Sequence, residues 1–198
     1  AHMHIGGFVG EGRWRFEMER LLLGMQLFVT ESLDCIDSRI LLRSKDPPNA
    51  LLTLLYSSNE RLSQVCAVPI SGIAAVVMRT GDTVVEEIFE HMPLGSGVYD
   101  PDVDLPLHRA KRPSILAVPV VHVVTHAQDA VLEVLFDSLE GGAGEQQRTL
   151  MKTLSAAAAQ HIAIALHTFA QHTHNHEQKL RCEADRDARS ASFHSQER

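Results

Sequence analysis

Between His91 and Pro113 the chain gathers side chains that could do chemistry. Asp100, Asp102 and Asp104 alternate along it, Tyr99 precedes them, and His108, Arg109, Lys111 and Arg112 follow. The alternating acids open like a calcium loop. The glycine such a loop needs is missing, however, and Lys111 stands where its bidentate glutamate belongs, which argues against calcium. The basic half suits an anionic ligand, and Tyr99 offers a ring on which a ligand could stack. A second cluster, His167, His172, His174 and His176, lies near the end of a helical pattern. His172 and His176 share a face at i, i+4, but no thiol or carboxylate at matching spacing completes a metal site, so a solvated helix end is expected. Cys35, Cys66 and Cys182 form no CxxC pair, and their odd, dispersed count fits a reducing compartment. The motifs GxSxG, HExxH, GxxxxGK[ST] and GxGxxG are all absent. The chemistry expected is therefore binding, not catalysis.

The elements that must position this loop can be read from periodicity. Trp14, Met18, Leu21, Leu22, Met25, Phe28 and Val29 make one apolar stripe, which predicts a helix to about Asp34. Strands are expected over 36–43, 51–56, 84–90, 114–123 and 130–136, with 62–70 either a strand or a connection. Asp46-Pro-Pro-Asn49 and Ser57-Ser-Asn59 read as turns, and Pro69 points to an edge or a strand end. A short apolar helix lies between them, with Ser71 as its N-cap and Gly81 as its stop. Gly141–Gly144 is read as the end of the sheet region and Glu145 as the start of a long helix, with Leu150, Leu154, Ala158, Ile162, Leu166 and Phe169 as its buried stripe. These elements amount to an α+β fold: a central antiparallel sheet of five to six strands, with amphipathic N- and C-terminal helices packed on one face and the 91–113 loop over the other. A helix, a strand, a long loop and a strand in succession suit a small-ligand pocket.

Composition narrows the class further. With 198 residues and 44% hydrophobic content, one domain with a sizeable core is expected. A formal net charge of −7 argues against a nucleic-acid surface. No apolar run approaches a membrane span, and no secretory signal is read, so a cytoplasmic protein is expected. Residues 1–12 read as a cloning scar (Ala1-His2-Met3) and a flexible glycine-rich start, 13–171 as the domain, and 172–198 as a helical extension or disordered tail.

The order "GIAAVVMRTGDTVV", a polar loop, "SILAVPV", then "AVLEVLF" resembles a GAF domain, a fold related to PAS, over roughly residues 14–170. The resemblance implies a sensory or regulatory domain that is not an enzyme. It would bind a small molecule between the sheet and the 91–113 loop and form a homodimer through its terminal helices. The ligand-binding candidates are then Ile73, Val77, Tyr99, Asp100, Asp102, His108, Arg109 and Ser114. The ligand and any cofactor stay unidentified. His108 falls near the loop position of the axial histidine of haem-binding members, a match of one residue type, and an exposed histidine is the simpler reading. The segment Phe136–Glu145 has neither the Asn-Lys pair nor the Phe-x-x-x-Asp-Glu run of cyclic-nucleotide-binding members, which argues against a cyclic nucleotide. A ligand-free dimerisation module is the alternative. A third reading, a free-methionine-sulfoxide reductase, would need thiols in the short helix and the loop, where only Cys66, before the helix, is near.

Overall fold

The computed structural model describes residues 11–44, 49–57, 62–87 and 98–196. The expected flexible start before residue 11, most of the two turns near 46 and 58, the end of the strand at 88–90 and the loop's first part at 91–97 lie outside these residues, as does the Trp14 side chain.

Helix α1, Glu11–Leu33, buries Met18, Leu22, Val29 and Leu33 along one stripe. It stops where Asp34 takes the left-handed conformation, φ 48°, and so cannot continue the helix. Six strands follow: β1 Asp37–Arg43, β2 Ala50–Ser57, β3 Leu62–Pro69, β4 Val84–Glu87, β5 Pro113–Val121 and β6 Gln128–Asp137. They form one antiparallel sheet in the order β3-β2-β1-β6-β5-β4. The ambiguous 62–70 segment is thus a strand, and Pro69 ends it at the sheet's edge, where its missing N–H is harmless.

Every residue from Ala130 to Phe136 is buried, so the centre of the sheet is covered on both faces. Alternation divides the side chains. Leu41, Leu51, Ile115, Ala117, Val131 and Leu135 pack with helix α2, Gly72–Thr80, and with Val103 and Leu105 of the following loop. Ser38, Ile40 and Leu42 point to the opposite face, where α1 lies across β1, β2 and β3. A polar clasp fixes that contact. Thr30 Oγ1 lies 2.8 Å from Ser38 Oγ, Ser38 Oγ donates to the Gln26 carbonyl at 2.9 Å, and Gln26 Nε2 donates to the Ser38 carbonyl at 3.0 Å.

The long helix α3, Gly141–Gln196, starts four residues earlier than its sequence suggests. Gly141, at φ 63°, makes the entry, and Gly142 to Gly144 form the first turn instead of ending the sheet. Its buried face is also rotated from the expected one. Met151, Ser155, Ala158 and Ile162 are buried, whereas Leu150 and Leu154 are 57% and 38% exposed. The row carrying Met151 and Ser155 is turned inward there, and Leu150 and Leu154 are left outside. The chain divides into two compact units, Ala1–Ala163 and Ile164–Arg198. The second is the continuation of α3, with threonine hydroxyls of Thr168 and Thr173 bonded back to the carbonyls four residues before and a Lys179–Glu183 pair at i, i+4. Among the described residues, no helix is long and apolar enough to cross a membrane, and no group of three or more His, Cys, Asp or Glu could hold a metal ion.

Candidate functional site

Residues 98–112 form a strap over the α2 face of the sheet. Asp100 shapes its start: the Asp102 N–H donates to Asp100 Oδ1 at 3.0 Å, and the N–H groups of Val103 and Asp104 donate to the Asp100 carbonyl at 3.1 and 2.8 Å. That turn drives Val103, Asp104 and Leu105 inward, all three buried. Tyr99, half-buried, donates from its hydroxyl to the Leu105 carbonyl at 3.2 Å.

Asp104 fastens the strap to α2. Both of its carboxylate oxygens accept from the Ile73 N–H at 3.1 Å, and Oδ2 also accepts from the Asp100 N–H at 2.7 Å. A carboxylate at a helix N-terminus satisfies orphan donors and meets the positive end of the helix dipole. Ser71 occupies the N-cap position, but its hydroxyl makes no cap bond and donates instead to Asp100 Oδ2 at 2.5 Å. The cap expected from Ser71 therefore comes from the loop, over 30 residues downstream. Gly72 makes this possible: its φ is 68°, and a Cβ there would lie 2.3 Å from Asp104 Oδ2. At the other end of α2, Gly81 is left-handed and donates to the Val77 carbonyl at 2.8 Å, as its type predicts.

Beneath Asp104 lie two charged residues of the sheet. Arg39 on β1 and Glu133 on β6 are register partners. The Arg39 guanidinium donates to the carbonyls of Val103 and Asp104, the latter at 3.1 Å. Glu133 is fully buried, with its carboxyl set against the Asp104 carboxylate and the Leu105 backbone. Burial, then the nearby Asp104 carboxylate, push Glu133 well above the usual carboxylate range, which favours its protonated form, a form that can donate to Asp104. Burial also raises Asp104, and burial together with the Asp104 charge pushes Tyr99 up to about 12.

The strap's far end is tied to the end of β6. Asp137 Oδ1 accepts from the N–H groups of Lys111 and Arg112 at 2.7 and 2.9 Å, and Ser138 N–H donates to the Arg112 carbonyl at 2.9 Å. The Asp137 carbonyl accepts from Gln147 Nε2, and Gln147 Oε1 accepts from the Leu139 N–H, both at 2.9 Å, which joins the same corner to α3. Arg148 of α3 pairs with Glu87 of β4. The exposed Arg112–Glu140 pair adds little in water.

Of the eight ligand-binding candidates, the structure brings Ile73, Val77, Tyr99 and Asp100 together around the strap. Ile73 and Val77 are fully buried in the core. Asp102 lies at the surface, as do His108 and Arg109 in the short 3-10 turn Leu107–Arg109, Arg109 lying 4.0 Å from Asp37. Ser114 alternates with Ile115 and pairs with Phe136, which places its side chain on the face of the sheet away from α2. Its hydroxyl is buried without a partner among the described residues. The three alternating aspartates diverge: Asp100 engages Ser71, Asp104 engages α2, and Asp102 faces water.

Arg39, Asp104 and Glu133 were not among the candidates. A signal for two of them was present: each is a charged residue set within a run of apolar strand residues, Ser38-Arg-Ile-Leu-Leu42 and Val131-Leu-Glu-Val-Leu135. A charge at a core-facing strand position demands a partner or a function.

The thiols bear on the reductase reading. Cys35 is half-buried, contacts the Asp37 carbonyl at 3.5 Å and is pushed up to about 11, chiefly by burial. A thiol so held is a poor nucleophile at neutral pH. Cys182 is exposed. On treatment of the native protein with iodoacetamide at pH 7.5, peptide mass mapping should find Cys182 alkylated at least about tenfold faster than Cys35, since Cys182 is exposed and burial both shields the Cys35 thiol and disfavours its thiolate. Equal rates would show that the Cys35 environment is open.

No family model and no curated protein matches the chain. Solved structures do. The GAF domain of A. aeolicus nlh2 in an inactive state aligns at 14% identity over 77% of this chain and 92% of that one, with a TM-score of 0.53. The GAF domain of a two-component sensor histidine kinase from Bacillus halodurans aligns at 13% identity over 78% of this chain and 96% of that one, with a TM-score of 0.50. The likeness is one of fold: the chain, an α+β structure built on a six-stranded antiparallel sheet, has a GAF-like fold.

Proposed function

We propose that this chain is a sensory or regulatory domain of a cytoplasmic signalling protein, one that works by binding and carries out no chemistry of its own. The observation that carries this reading is the polar patch beneath the strap. Arg39, Asp104 and Glu133 meet where simple packing would favour apolar side chains, and two carboxyls, Asp104 and Glu133, are crowded together there out of water. So costly an arrangement is explained if the patch engages a ligand in another state of the strap. Ile73, Val77, Tyr99 and Asp100 are the candidates placed to contact such a ligand. The resemblance to a GAF domain from a sensor histidine kinase supports a signalling role for the fold. A ligand shifts the strap only by the difference in its affinity for the two arrangements.

Native mass spectrometry of the purified protein, beside its denatured mass, tests the reading. A mass excess lost on denaturation supports a ligand and gives its class. A clean protein mass, with no thermal shift across a metabolite panel, turns the assignment to the second reading, a dimerisation module. One observation favours dimerisation in either case: Phe16, Leu27 and Phe28 of α1 and Leu150 and Leu154 of α3 are exposed apolar side chains. Leu150→Glu together with Leu154→Glu should then convert a dimer to a monomer in sedimentation velocity, weakening association at least tenfold. A wild-type monomer at 100 µM, about the upper range of such runs, would exclude both readings' homodimer.

A further inference from the structure

We propose that the strap is a proton-linked latch, in which Arg39 exchanges the strap's carbonyl oxygens for the Glu133 carboxylate when the strap opens. The inference goes beyond ligand binding and stands whether or not the patch has a ligand.

The register supplies the exchange. Arg39 and Glu133 lie directly opposite each other on adjacent antiparallel strands, so their side chains leave the same face of the sheet as neighbours. An arginine and a glutamate so placed would ordinarily pair. In this structure they do not: the guanidinium reaches up to the carbonyls of Val103 and Asp104, and Glu133 is left fully buried against the Asp104 carboxyl. The strap therefore holds Arg39 away from its cross-strand partner. Opening it frees the guanidinium, admits water and lets Glu133 ionise beside a cation.

The charged and titratable groups facing Glu133 among the described residues are Asp104 on the strap and Arg39 on β1, with Tyr99 of the strap further off and Asp100 near Tyr99. From α2 come N–H groups of its first turn, which are spent on Asp104. In the closed form, ionising Glu133 would set a second carboxylate against Asp104 with no solvent between them. In the open form that objection is gone. The sign follows. Glu133 is raised above its ordinary value only while the strap is closed, so above that value the open form has released a proton that the closed form retains. Rising pH favours opening, up to the pH at which the closed form itself ionises; falling pH closes the latch. Asp104, also raised by burial, pulls in the same direction.

Val103 and Leu105 are buried, so the open form is rare at any one moment, and amide hydrogen exchange is the measurement that reads rare openings. Exchange of the amides of 103–105 should be followed from pH 5 to pH 8 and corrected for intrinsic rates. In the wild type, their opening should rise by up to about tenfold per pH unit, the slope for one linked proton, while amides of β1 and β6 stay flat. Glu133→Gln should lose about one proton's worth of that slope. A flat wild-type profile, or an unchanged slope in Glu133→Gln, overturns the proposal. If the variant does not fold, carbon-13 NMR of the Glu133 carboxyl in the wild type decides: the pH at which strap opening levels off must coincide with its midpoint, and a mismatch of more than about one unit rejects the latch.

Discussion

Replacing Gly72 by alanine should lower stability by about 3–5 kcal/mol, the largest loss expected from any single methyl group in this protein. Two costs combine. At φ 68° a Cβ brings the left-handed penalty of about 1–2 kcal/mol. The same Cβ would stand 2.3 Å from Asp104 Oδ2 and 2.6 Å from Oδ1, so the carboxylate must leave. Its departure strands the buried Ile73 N–H, at about 1–3 kcal/mol for a buried donor left unpaired, and costs less at the half-buried Asp100 N–H, which water can reach. For a chain of this size the midpoint of thermal unfolding should fall by roughly 10 °C. The cause can be isolated with Asp104→Ala. If Gly72 exists to admit that carboxylate, then Gly72→Ala in the Asp104→Ala background should cost only the backbone penalty, leaving a coupling of about 2 kcal/mol. Additive losses would mean that Asp104 and Gly72 do not depend on each other.

Gly144→Ala should also destabilise, by about 2 kcal/mol, against the rule for its position. Alanine is favoured over glycine inside a helix by about 1 kcal/mol, so the substitution ought to help. Here a Cβ would lie 2.1 Å from the Leu139 carbonyl oxygen and 3.0 Å from its carbon, and the obstacle is backbone that cannot rotate aside. Gly142, two residues earlier in the same helix, meets nothing within 4 Å. Gly142→Ala should therefore be neutral or stabilising by up to about 1 kcal/mol. Chemical denaturation of both variants checks the pair, and equal effects would remove the contact with Leu139 as the reason.

These two glycines also show where reading the sequence reaches its limit. Alternation and the 3.6-residue period reveal five of the six strands, the short helix and both long ones, because each pattern is local and repeats, and leave only 62–70 open between a strand and a connection. The cap on α2 is not local. Ser71 has the right type in the right place, yet its hydroxyl goes to Asp100, and the cap is Asp104, reached only through the folded path of the strap. Likewise Leu150 and Leu154 outrank Met151 and Ser155 by hydrophobicity, yet the latter pair is buried, and the period alone does not fix which of two adjacent rows turns inward. The partners Arg39 and Glu133 stand 94 positions apart (133 − 39), and only the β1–β6 register joins them. Each was visible as a charge in an apolar strand. Which charge it would meet was not.

Asp137 ends β6, and its two backbone and side-chain acceptors serve different neighbours: the carboxylate holds the strap through Lys111 and Arg112, and the carbonyl holds α3 through Gln147. A tug on the strap thus arrives at the helix through a single residue of the sheet, by way of the Asp137 carboxylate and the Gln147 amide. The sheet can stay still while its corner acts as a pivot. Whatever moves residues 98–112 has a short mechanical line to the start of α3, and that line runs along hydrogen bonds of 2.7–2.9 Å, not through the deformable apolar core.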